Sequence, residues 1–120
     1  MAGAERGRKP FYASSDQFSQ PICALELARL AQGLISGKRR GVYNACGPDF
    51  VSRHQLAGRI KKAMGWKLKL RASSIKERKA RVQPHLRVDI SKIERDFGKV
   101  ASLSSQISEL KGWMDENQHV

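Results

Sequence analysis

Asp16-Gln17-Phe18-Ser19-Gln20-Pro21, followed five residues past the proline by Glu26-Leu27-Ala28, is the stretch that decides how this chain is read. Beyond Pro21, apolar residues at Ile22, Leu25, Leu27, Ala28, Ala31, Leu34 and Ile35 recur at helical spacing, and Gly37 supplies a C-terminal stop. The stretch therefore predicts a polar loop that opens into a first helix. Asp16 also has the side chain for an Asx-type turn ahead of the proline.

Working outward, a basic turn at residues 38–41 leads to Val42-Tyr43-Asn44-Ala45, a β-prone run closed by Gly47-Pro48 and read as an interior strand. Ser52 and Gln55 have the spacing of a capping box, which predicts a second helix from about Arg53 to Met64, ended by Gly65. Its apolar stripe is Leu56, Ala57, Ile60, Ala63 and Met64. Lys67-Leu68-Lys69-Leu70-Arg71 alternates with period two, as a half-exposed strand does, and Ser73 to Lys79 could add one or two helical turns. Asp89 can cap a third helix over Ile90 to Phe97, with Gly98 after it. Ser102 can cap a fourth that carries Leu103, Ile107, Leu110, Trp113 and Met114. The expected class is α/β (α+β): a small helix-rich domain with four main helices and two or three short strands, too few to complete a doubly wound sheet. Residues 1–15, rich in Gly, Arg and Ser, read as a flexible basic arm, 16–117 as one unit and 118–120 as a tail.

The length of 120 residues fits one ordinary domain, and no run approaches the roughly 18 apolar residues of a membrane span. The N-terminal residues lack the apolar segment of a secretory signal, so a cytoplasmic protein is expected. Cys23 and Cys46 are too few for a disulfide framework and read as reduced thiols. His54, His85 and His119 are too scattered for a metal shell, so no metal is expected. The outlier is charge, at +12. Between Arg53 and Arg81 eleven basic residues face a single acid, Glu77. A field of that kind attracts polyanions, although a charge run is also the ordinary form of a solvated face.

The opening stretch resembles the "DQ.GSPT....DLA" segment of dTDP-4-dehydrorhamnose reductases and, more loosely, of the extended short-chain dehydrogenases. In those proteins it lies past the middle of the chain. Gly41-Val42-Tyr43-Asn44 with Gly47 and Ser52 is similar to their strand, loop and helix cap. Pro84 with Val88-Asp89-Ile90-Ser91-Lys92 and Phe97-Gly98 is similar to their "RP…LDxSK…LG" element, and Ser102-Leu103 through Trp113 to their closing helix. The resemblance implies the substrate-binding portion of an NAD(P)-dependent sugar-nucleotide reductase or epimerase. Asp16, Gln17, Pro21, Asn44, Arg81 and Arg87 are then the candidates for contact with a nucleotide-sugar. The resemblance departs at Gln83, which stands where an arginine usually precedes the proline.

The front half of such an enzyme is missing from the pattern. No glycine-rich strand-to-helix turn offers a pyrophosphate site, so no cofactor is expected to bind this chain alone. Tyr12 and Tyr43 are followed four residues on by Asp16 and Gly47, not by the lysine that lowers a catalytic phenol's pKa. No catalytic residue is assigned. The expected function is a truncated, catalytically insufficient substrate-binding domain, working with a Rossmann-domain partner or as a homo-oligomer. The alternative is a small basic nucleic-acid-binding or oligomerising interaction protein, with Arg53, Arg59, Lys61, Lys62, Lys67 and Lys69 as the polyanion patch. In that reading Trp66, flanked by lysines, stacks on a base; in the simpler one it packs.

Overall fold

The structure, a computed structural model, describes residues 9–77, 85 and 87–117. In chain order they form β1 (Phe11–Ser14), β2 (Phe18–Ser19), α1 (Ala24–Ser36), β3 (Val51–Ser52), α2 (Arg53–Met64), β4 (Leu70–Ser73), a 3₁₀ turn (Ile75–Glu77), α3 (Ser91–Asp96) and α4 (Leu103–Glu116). Four helices and a few short strands make this the mixed α/β class that the sequence predicts. Contacts divide the chain into two compact units, a first of Met1–Ser19 with Val51–Leu86 and a second of Gln20–Phe50 with Arg87–Val120.

In the first unit β1 runs parallel to β4, with Phe11 opposite Leu70 and Ser14 opposite Ser73, while β2 pairs antiparallel with β3. α2 packs on β1 and β4. Its start follows the sequence closely: the Ser52 hydroxyl accepts the Gln55 N–H at 3.0 Å, and the Gln55 amide oxygen accepts the Ser52 N–H at 2.8 Å. The left-handed Gly65, at φ 70°, ends it. Two boundaries differ from expectation. Phe11–Ser14 lies inside the stretch read as a flexible arm, yet it is a strand, because its ladder partner sits 59 positions away where no local pattern reveals it. The strand expected at 67–71 falls at Leu70–Ser73, since ladder pairing is set by β1 and alternation alone does not fix register. Lys79 and residues 1–8 and 118–120, part of the expected final turns, arm and tail, lie outside the described residues.

The second unit is built around Leu30, Ile90, Ile93 and Val100, with Ile22, Leu34, Tyr43, Ala45, Cys46 and Phe97 packed on them. Leu30 and Ile93 are fully buried, and each contributes on the order of 2 kcal/mol through area removed from water. α1 forms where Pro21 and Gly37 frame it, but it turns a different face inward than the apolar spacing suggested: Leu27 and Ile35 are exposed, and Leu30 carries the contact. The reason is close packing. A Cβ on Gly33 would lie 1.7 Å from the Phe97 ring, so this glycine admits the aromatic of the α3 end onto the helix.

The strand expected at Val42–Ala45 does not form; Val42 is 82% exposed and no ladder partner lies beside it among the described residues. A β-prone run becomes a strand only when another strand supplies N–H and C=O groups. α3 starts at Ser91, one residue later than predicted, with the Asp89 carboxylate accepting the Ser91 N–H at 2.9 Å. α4 starts as predicted, its Ser102 hydroxyl accepting the Ser105 N–H.

Candidate functional site

In the second unit an open groove of about 590 Å³ is lined by Gln20, Pro48, Arg87, Val88, Asp89, Ile90, Ser91 and Glu94. One side chain of that lining is bonded into the backbone around it. The Gln20 amide nitrogen donates to the carbonyls of Gly47 at 3.2 Å and Val88 at 3.0 Å, and its oxygen accepts the Val88 N–H. Acting as a surrogate peptide group, Gln20 satisfies backbone that would otherwise be orphaned and locks the 87–91 segment to the loop before Pro48. Sequence reasoning named Gln20 only as part of the opening motif. The available signal was an amide with both donor and acceptor capacity at the head of a loop.

Arg87 is exposed at the groove and holds its guanidinium 4.2 Å from the centre of the Phe50 ring, an attraction between cation and ring quadrupole that limits its wandering. Asp89 is held below the usual carboxylate range by its hydrogen bonds to Ser91. With Glu94 also in the lining, the groove offers one fixed cation and two acidic groups. It can take a polar ligand that presents an anionic group to Arg87 and hydroxyl donors to the acids.

The other expected contact residues fall as follows. Asn44 is exposed and its Nδ2 donates to the Asp89 carbonyl at 3.5 Å, in the second unit with Arg87. Pro21 belongs there too, but its role is close packing: its carbonyl oxygen sits 2.1 Å from where a Cβ on the buried Gly47 would be. Asp16 and Gln17 belong to the first unit. The Asp16 carboxylate accepts the Ser74 hydroxyl at 2.6 Å and the Ile75 N–H at 3.0 Å, bonds that hold it below the usual carboxylate range and cap the 3₁₀ turn. Its turn role is thus made across the fold, not within its own loop. The Gln17 carbonyl accepts the Arg53 N–H, and its buried Oε1 has no partner among the described residues. Arg81 lies outside the described residues, as do Gln83 and Pro84.

A second groove, also of about 590 Å³, lies in the first unit between His54, Gly58, Lys61, Lys62, Gly65, Trp66 and Leu70. Of the basic patch, Arg53, Arg59, Lys62, Lys67 and Lys69 are exposed and Lys61 is half-buried. α2 and the turn after it present them.

Neither tyrosine is arranged as a proton donor. The Tyr43 hydroxyl donates to Asp96 Oδ2 at 2.7 Å, and this bond to a carboxylate moves its pKa up, away from neutral pH. Tyr12 is 61% exposed. The described strand-to-helix junctions also do not fit a dinucleotide. β3 passes directly into α2, whose N-terminus is closed by the Ser52–Gln55 box, and neither it nor the segment from β2 to α1 contains a glycine. No hydride-transfer step is assigned to these residues. Among the described residues no three His, Cys, Asp or Glu side chains are grouped to hold a metal, and no helix is long and apolar enough to cross a membrane.

No protein-family model and no curated protein matches the chain by sequence. Solved structures do match its fold. A dTDP-4-dehydrorhamnose reductase from Clostridium acetobutylicum superposes with a TM-score of 0.74 at 19% identity, over 98% of this chain and 42% of that one. The dTDP-4-dehydrorhamnose reductase of Yersinia enterocolitica gives 0.72 at 16% identity, over 92% and 40%. A UDP-glucose 4-epimerase from Bifidobacterium longum, solved with NAD+ and UDP, gives 0.65 at 19%, over 98% and 38%. The fold is thus that of a segment of these sugar-nucleotide enzymes. The chain spans about two fifths of their length.

Proposed function

We propose that this chain is the substrate-side portion of a sugar-nucleotide reductase or epimerase of the extended short-chain dehydrogenase type, the portion that follows the Rossmann domain. It binds the ligand but is not catalytically self-sufficient. The observation that carries the reading is the superposition of 98% of the chain on part of a reductase, and the ordered motifs of the sequence favour the same reading. The groove at Arg87 supports it, since a guanidinium steadied over Phe50 suits a diphosphate. Turnover requires NAD(P) held by a Rossmann-domain partner, and self-association is the other use of surface that such a domain would cover. A cytoplasmic setting agrees with the free thiols of Cys23 and Cys46.

Two measurements test the proposal. Titration calorimetry with dTDP and UDP should detect binding, and Arg87→Ala should weaken it about tenfold, as expected for one charge-assisted contact. Absence of binding by either nucleotide overturns the substrate-side reading. In the second, the chain alone should oxidise no NADH or NADPH in the presence of dTDP- or UDP-keto sugars; turnover by the isolated chain would falsify its dependence on a partner.

A further inference from the structure

Among the described residues the two units carry equal numbers of bases and unequal numbers of acids. The described residues of the first unit hold nine basic side chains (Lys9, Arg53, Arg59, Lys61, Lys62, Lys67, Lys69, Arg71, Lys76) and two acids (Asp16, Glu77), a net of +7. Those of the second hold nine bases and eight acids, a net of +1. The ion pairs among the described residues follow the same division: Arg29–Glu26, Arg95–Asp96 and Lys111–Asp115 all lie in the second unit. In the first, the Asp16 carboxylate is committed to Ser74 and Ile75. Lys61 and Lys62 line one groove with Trp66, and Lys67 and Lys69 follow within three residues of that ring; none of the four is in an ion pair among the described residues. Like charges held together oppose folding by self-repulsion and focus a positive potential on one surface.

That surface also has shape. Trp66 is half-buried in the groove beside Lys61 and Lys62, its backbone N–H donating to the Lys61 carbonyl at 3.1 Å. The walls next to it are low because two lining residues are glycines. Nothing lies within 4 Å of a Cβ built on Gly65, and at Gly58 the neighbour is the Leu70 methyl at 3.7 Å. Leu70 carries the groove into the sheet, where its ladder partner Phe11 is 52% exposed. Paired residues on adjacent strands share a face, so a second aromatic lies one strand from the groove.

Ammonium groups around a recessed indole, with an open aromatic next to them, match what a flexible polyphosphate chain with detached bases requires: phosphates on the lysines and a base against the ring. A duplex conceals its base faces from a recessed ring. An acidic protein has no use for the indole, and a membrane surface is met by protruding aromatics, not recessed ones.

We propose that this face binds single-stranded nucleic acid without reading its sequence, through phosphate contacts at Lys61, Lys62, Lys67 and Lys69 and base stacking on Trp66. The site is separate from the Arg87 groove, and the proposal does not depend on the sugar-nucleotide reading.

The test uses the full chain and a short labelled oligothymidylate, with binding read by fluorescence anisotropy across a salt series. Affinity should fall steeply with salt. Contact with about four phosphates corresponds to a log–log slope near −2.8, and Lys61→Gln with Lys62→Gln should bring it to about −1.4. Trp66→Ala should weaken binding roughly five- to hundredfold, with rescue by Trp66→Phe, which retains a stacking ring. In a Trp113→Phe background, a ring-for-ring change at a residue 48% exposed in the second unit, the remaining Trp66 emission should be quenched on binding; this readout leaves every residue of the site in place. Lys38→Gln with Arg40→Gln, basic residues of the second unit, should change nothing. A flat salt response, unquenched Trp66 emission, equal binding of duplex or polyglutamate, or an equal loss from the Lys38 and Arg40 changes would overturn the proposal. Unaltered dTDP binding by the Lys61 and Lys62 variant separates this site from the Arg87 groove.

Discussion

At the scale of single residues, the second unit depends on polar side chains placed where sequence patterns expect apolar ones. Glu26 is 2% exposed on α1, and its carboxylate accepts from the Arg29 guanidinium at 2.6 and 2.7 Å and from the Ala101 N–H at 2.6 Å. Gln106 is equally enclosed, accepting the Cys23 N–H and donating to the Ala101 carbonyl. Both tie α1 to the segment that starts α4. The Arg29 bond, then that of Ala101, holds the Glu26 carboxyl below the usual carboxylate range. A depressed native pKa means that the unfolded state binds the proton more readily. The contribution is therefore whole above the unfolded value of about 4.3 and is lost as pH falls through the lower native one. Glu26→Gln should cost about 2 kcal/mol at neutral pH, with a smaller deficit against the parent in acid. Denaturant midpoints at the two pH values measure this, and an equal deficit at both would remove the charge from the account. In the sequence, Glu26 looks like part of a motif or a first-turn acid; that it is enclosed follows from Ala101, 75 positions away.

At the scale of elements, helix boundaries obey local chemistry, whereas helix faces do not. The capping box at Ser52, the left-handed Gly65 and the hydroxyl cap at Ser102 are short-range devices, so α2 and α4 start where the sequence places them. Which side of α1 is buried depends instead on α3, whose Phe97 ring rests against Gly33. This reverses a general expectation. Glycine to alanine inside a helix normally gains up to about 1 kcal/mol, but Gly33→Ala should destabilise, by roughly 1–3 kcal/mol, because the new methyl must displace the ring. In a Phe97→Ala background the same substitution should turn stabilising. A double-mutant cycle by chemical denaturation reads the sign in each background, and destabilisation that persists without Phe97 would show that the ring is not the cause. Strands are the opposite case: Val42–Ala45 has the composition and no partner among the described residues, and Phe11–Ser14 has the partner and was concealed in a polar terminal stretch.

At the scale of the whole molecule, the net charge of +12 is the dominant property, and its concentration in one unit makes it matter twice. Positive charge at such density is of a kind that attracts polyanions and opposes folding through repulsion, which ions screen over about 8 Å at physiological strength. The melting temperature should accordingly rise with added sodium chloride at neutral pH. Relief of about 1 kcal/mol corresponds to roughly 4 °C for a domain of this size. A Tm that is flat or falls with salt would mean that the first unit's bases are too well solvated to repel.

The sequence by itself determined the four helices, most of their ends, the charge imbalance and the likeness to sugar-nucleotide enzymes, because caps, glycine stops and ordered short motifs act over a few residues. Only the tertiary structure decided that Phe11–Ser14 pairs with Leu70–Ser73, that Leu30 and not Leu27 enters the core, and that Gln20 and Glu26 anchor distant backbone. It alone placed Asp16 and Arg87 in different units, although one motif reading had joined them. The physical reason is common to all of these: strand pairing, side-chain burial and long-range hydrogen bonds are properties of partners, and the partners here lie from 58 to 75 positions apart for Asp16, Gln20 and Glu26.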